Sequence, residues 1–245
     1  MNVWSMPESV ARNAARDELQ RAQLREPGRP AEALARLEEA KRLDPANLDV
    51  LLSLSRLQVR FARYGEALVN LEKLSSAPGA RGETWALLAL CHLRLGHVAE
   101  AQASAGEALN QAPGDALALE ALADCLRLKG QWREALIRFE TLENSGVLGA
   151  DGRARIRMKR AHCHLNLAEP ERAWELSQEL SAAGYRGAAL TELIRQSRKA
   201  TKQRLRNRLG KPKLLHSLLL FFADKQFVAA AARGSLKRDA SEGSV

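Results

Sequence analysis

Residues 82–115 read GETWALLALCHLRLGHVAEAQASAGEALNQAPGD, and the fold follows from this stretch. Trp85, Leu88, Ala89 and His92 recur at three- and four-residue spacing, which places them on one face of a helix. Gly96 then supplies a small residue for a tight turn. Ala101 and Ala105 share the face of a second helix, and Pro113 follows it. Two helices this short cannot bury their apolar faces alone, so the unit needs neighbours of its own kind.

The neighbours are present in the sequence. Glu-Ala recurs at Glu32-Ala33, Glu66-Ala67, Glu100-Ala101 and Glu134-Ala135, spaced by 34 residues each time. Arg172-Ala173 follows after 38. Five residues before each alanine stand Gly28, Ala62, Gly96, Gly130 and Ala168, small residues for the interhelical turn. Four residues after it stand Leu37, Leu71, Ala105, Phe139 and Ser177. The copy at 116–153 has Leu119, Leu122, Ala123, Leu126, Gly130, Ala135 and Phe139. The copy before Trp85 has Leu51, Leu54, Ser55, Ala67 and Leu71. The first keeps Ala33, Leu37, Ala40 and Pro45 but has a degenerate first helix. The last keeps Ala161 and Ala173 and has Arg157 and Arg160 where large apolar residues are expected.

These residues resemble the tetratricopeptide repeat, a 34-residue helix–turn–helix unit. The resemblance covers about residues 14–187. It implies an all-α fold: a right-handed α-solenoid of about five such units, with a C-terminal capping helix. The expected repeats are 14–47, 48–81, 82–115, 116–153 and 154–187, after a lead-in over 1–13. The four extra residues of the fourth repeat fall within NSGVLGADGR (144–153), whose glycines predict a longer loop. A basic capping helix and an apolar helix are expected over 188–232, and a disordered tail over 233–245.

The resemblance also implies that the first helix of each repeat lines a groove that takes a partner's peptide segment. The groove candidates are Asp49, Leu52 and Arg56; Glu83, Ala86 and Leu90; Leu117, Glu120 and Asp124; and Arg155, Met158 and His162. Lys159 stands beside Arg155, opposite the acidic pair Glu120 and Asp124. Some family members hold a carboxylate clamp for C-terminal tails. Ala86, Leu90 and Ala121 stand where its first basic residue and asparagines would be, so that mode is not expected.

Composition agrees with helices. Ala and Leu dominate, aromatics are 4%, and an apolar share of 46% suffices for a core. Three cysteines exclude a disulfide scaffold. Cys91, Cys125 and Cys163 follow the repeat spacing of 34 and 38, which makes them apolar fillers stacked one per unit. Zinc sites use closer pairs. His92 and His164 occupy a place where the family often has an aromatic, and read as packing substitutes. No Ser/His/Asp set, phosphate-binding loop or dinucleotide fingerprint is present, so neither an enzyme nor a cofactor is expected.

The chain carries nine excess positive charges, and residues 195–213 hold nine Lys/Arg and no Asp/Glu. The rest is therefore neutral. On a helical wheel Leu190, Leu193, Ile194 and Thr201 face one way. Arg195, Arg198, Lys199, Lys202 and Arg206 lie opposite, within about 100°. With Lys211 and Lys213 they form a candidate surface for a polyanion or an anionic membrane. The 188–213 stretch has no aromatic for base stacking, which argues against sequence-specific RNA reading; nucleic acid stands as a third reading. The apolar run 214–232 is interrupted by Asp224 and Lys225, which cost ~2.5–3.5 kcal/mol each in a membrane span. It fits packing on the cap, a homodimer, or peripheral membrane attachment. It also fits a repeat module of a larger or split enzyme. The N-terminus has no basic stretch followed by an apolar one, so a cytoplasmic location is expected, at the inner face of a membrane if the basic segment binds lipid.

Overall fold

The computed structural model describes residues 7–25 and 28–209, and every regular element among them is an α-helix. The helices come in pairs. They are α1 (Glu8–Arg25) with α2 (Pro30–Leu43), α3 (Leu48–Arg60) with α4 (Tyr64–Ser75), and α5 (Gly82–Leu95) with α6 (Val98–Gln111). Then come α7 (Ala116–Leu128) with α8 (Trp132–Asn144), α9 (Ala150–Asn166) with α10 (Pro170–Ala182), and a last helix α11 (Ala188–Leu209). The chain divides into two compact units between Ile156 and Arg157, within α9.

One turn recurs inside the pairs. The backbone N–H groups of Arg63, His97, Gln131 and Glu169 donate to the carbonyls of Gln58, His92, Leu126 and His164 at 2.8–2.9 Å. The residue before each donor has positive φ: Ala62 58°, Gly96 86°, Gly130 77° and Ala168 58°. This left-handed residue lets the orphan carbonyls of the first helix find donors at once, which stops the helix and reverses the chain. Asn47 and Asp115 cap α3 and α7, accepting from the N–H of Val50 at 3.2 Å and of Ala118 at 2.8 Å.

Small residues set the packing distance. Ala33, Ala67, Ala101, Ala135 and Ala173, the alanines that mark the repeat, are all fully buried. With no side chain beyond Cβ they let the paired helices close on each other. Larger residues then fill the layers between pairs. Leu51, Leu71, Leu74, Leu88 and Cys91 form one cluster contributed by α3, α4 and α5, so each pair is completed by the next. Within the first unit, successive first helices touch one another, α1 with α3, α3 with α5 and α5 with α7. Among the described residues no comparable contact joins successive second helices. The first helices therefore lie on the inner side of that unit's curve.

Two elements differ from the sequence expectation. The first helix begins at Glu8, inside the stretch expected as a lead-in over 1–13. It packs through small and charged groups: Ala15, Ala22 and Glu18 are buried, and Glu18 accepts from Arg21 at 2.6 Å and from Arg36 of α2 at 3.1 Å. An apolar-periodicity reading does not register such a face. The four extra residues do not lengthen the loop, which spans only 145–149; they extend α9 to 17 residues. Gly152 sits in its first turn, where an added Cβ would lie 3.3 Å from the side chain of Leu148, so glycine here makes room for the connection that precedes the helix.

In the second unit α11 lies against α10, with Leu190, Leu193, Ser197 and Thr201 buried. The three cysteines are buried free thiols. Burial pushes Cys91 up to about 12 and, with Asp124 adding to it, Cys125 up to about 11. Both are held as neutral, unreactive fillers. The segment 210–245, which contains Lys211, Lys213, the apolar run and the tail, lies outside the described residues.

Candidate functional site: the first-helix face

The inner face of the first unit carries its polar groups in pairs that tie neighbouring repeats together. Arg56 of α3 donates through Nε and Nη2 to both carboxylate oxygens of Glu83 of α5. Arg155 of α9 donates in the same two-pronged way to Glu120 of α7, at 3.0 and 2.9 Å. Each pair thus joins the first helices of two successive repeats. Arg56 and Glu83 are each nearly half exposed, and such pairs contribute at most about 1 kcal/mol to folding. Both pairs join neighbouring first helices; Arg56, Glu83 and Arg155 remain accessible, whereas Glu120 is mostly covered.

Between these pairs the face is apolar. Leu90 and Leu117 are half-buried, and Ala86 is buried. Leu52 is buried as well, within the α3–α4–α5 cluster rather than on the surface, and it floors a cleft of about 290 Å³. The cleft is walled by Leu48 and Asp49 of α3, Leu74, the connection 77–81 and Thr84 of α5. Arg81 reaches to within 3.8 Å of Asp49 across its mouth. The connection makes this wall because Gly79 takes a φ of 76° beside Pro78. The Pro-Gly pair is the signal in the sequence that could have found it.

Asp124 is buried and accepts from Arg127 at 3.0 Å; Glu120, by its hydrogen bonds, and Asp124, by its charge, raise the pKa of the Arg155 guanidinium across the repeat boundary. Met158 and Lys159 of the second unit are half-buried, and His162 is exposed. His164, in the same helix, lies 2.8 Å by Nδ1 from Glu169. Among the described residues no group of three or more His, Cys, Asp and Glu is placed to hold a metal ion. No described helix is long and apolar enough to cross a membrane.

A further polar feature was not expected from the sequence. Lys41 donates to Asn70 Oδ1 at 2.8 Å, Asn70 Nδ2 to Gln58 Oε1 at 2.9 Å, and Gln58 Nε2 to Glu66 at 3.3 Å. Asn70 is fully buried and Gln58 nearly so. This chain of bonds joins α2, α3 and α4.

Comparison with known proteins agrees with this architecture. Residues 24–91 match the family model described as tetratricopeptide repeat. No curated protein sequence matches the chain. Among solved structures, YrrB, a TPR protein with an unusual peptide-binding site, superposes with a TM-score of 0.54 at 19% identity, over 76% of this chain and 90% of that one. A thermophilic TPR protein of Thermus thermophilus gives the same score and identity, over 77% of this chain and 99% of that one. PilW, a widely conserved type IV pilus biogenesis factor, gives 0.55 at 18% identity, over 74% of this chain and 98% of that one. These are likenesses of fold. The chain is thus similar to the tetratricopeptide-repeat family by sequence over 24–91, and shares the fold of tetratricopeptide-repeat proteins over some three-quarters of its length.

Proposed function

We propose that this protein is a non-enzymatic adaptor that binds a peptide segment of a partner protein along the first-helix face of the array. The observation that carries the reading is the composition of that face. The half-exposed pair Arg56–Glu83 and the pair Arg155–Glu120, whose guanidinium is half exposed, share this face with half-buried leucines at 90 and 117 and with the cleft over Leu52. An amphipathic or extended segment exchanges its own charges with those pairs at little cost and places an apolar side chain on the leucines. The fold shared with YrrB, a protein with a peptide-binding site, supports the same reading. The partner is a protein segment of mixed charge and apolar character.

The test is affinity capture followed by binding measurements on the most enriched protein. Arg56→Glu sets two acidic groups together on the first-helix face, and should weaken binding about tenfold or more. Val69→Glu changes a half-exposed residue of the second helix α4 and should leave it unaltered. The reverse pattern, with loss at Val69 and none at Arg56, contradicts the proposal.

A further inference from the structure

Six basic residues of α11, between Arg195 and Arg206, divide into two sets. Arg195 donates twice to Glu192, at 2.7 and 2.6 Å, which holds that carboxyl down to about 2. Arg204 donates to Glu171 at 2.6 Å and to the carbonyl of Ala168 at 3.0 Å, fastening the helix to the start of α10. Both are engaged within the fold. Arg198, Lys199, Lys202 and Arg206 are exposed and have no hydrogen bond or ion pair among the described residues.

These four fall within about 100° of arc on the helix and along about 12 Å of its axis. The buried residues Leu190, Leu193, Ser197 and Thr201 lie on the other side. A row of like charges at four-residue spacing repels itself. It does nothing for the packing of α11, which the opposite face performs. The arrangement gains only from negative charge supplied from outside.

We infer that this face of α11 docks flat on an anionic lipid surface through Arg198, Lys199, Lys202 and Arg206. Two observations choose a membrane over a nucleic acid. The sequence runs from this helix through Lys211 and Lys213 directly into LLHSLLLFF (214–222), which pairs a basic signal with an apolar one. Peripheral membrane attachment uses both, whereas phosphate backbones have no use for the second. Residues 188–213 also contain no aromatic on which a base could stack. The inference is independent of the peptide-binding face, which belongs to the other unit.

The test is flotation of the full chain with vesicles of mixed phosphatidylglycerol and phosphatidylcholine, against vesicles of phosphatidylcholine alone. The wild type should bind the anionic vesicles and release as salt rises. Each cation near such a surface contributes about fivefold, so R198Q/K199Q/K202Q/R206Q should bind at least about a hundredfold more weakly, with unchanged helical circular dichroism. Should that variant misfold, K199Q alone should show about a fivefold loss. The inference is overturned if the wild type fails to float with anionic vesicles, if it binds neutral vesicles equally, or if the variants bind as the wild type does. It is also overturned if single-stranded or duplex nucleic acid binds more tightly than the vesicles at the same salt.

Discussion

Ala62 and Ala168 hold the left-handed backbone that Gly96 and Gly130 hold in the sister turns. That conformation costs an L-residue roughly 1–2 kcal/mol, which glycine avoids while losing more chain entropy on folding. Ala62→Gly should therefore stabilise the protein by about 0.5–1 kcal/mol, and Gly96→Ala should destabilise it by about 1 kcal/mol, both read from urea midpoints. Nothing lies within 4 Å of a Cβ built on Gly96, so its cost would come from the backbone alone. A destabilised Ala62→Gly would show that the turn is not what fixes these residues. The turns were legible in the sequence because five small residues stood at one place in the repeat, and a tight reversal demands smallness. The register of the cysteines was legible for the same reason, and their burial follows from it.

At the level of elements, α2, α3 and α4 are joined by the Lys41–Asn70–Gln58 bonds as well as by apolar packing. Asn70→Ala would take the donor from Gln58 Oε1 in the interior and should cost about 2 kcal/mol, measured as a fall in unfolding free energy. Asn70→Leu refills the volume without restoring the bonds. If it recovers full stability, the cost belonged to the cavity and not to the polar chain. Sequence reading missed this feature because Gln58 and Asn70 sit twelve residues apart on different helices, and neither breaks the apolar pattern around it. It placed the start of α1 too late for a related reason: that helix buries Ala15, Ala22 and a carboxylate in place of leucines. The extension of α9 was misread as loop because glycine favours a turn unless packing, here against Leu148, uses its missing side chain.

Across the whole molecule, charge and function separate. The nine excess positive charges equal the nine basic residues of 195–213, and the rest of the chain is balanced. On the first-helix face of the first unit, opposite charges meet as specific pairs; the family resemblance had named Arg56, Glu83, Glu120 and Arg155 but not which of them meet. Pairing across repeats depends on how far one helix is turned against the next, and a repeat period alone does not set that angle. Periodicity thus reaches the fold and the choice of face, and stops short of the contacts. The central claim is that the first helices bind a partner segment. Amide hydrogen exchange of the protein with and without its captured partner tests it most directly. Slowed exchange concentrated in α3, α5 and α7 is the predicted result; slowed exchange confined to α4, α6 and α8 would contradict it.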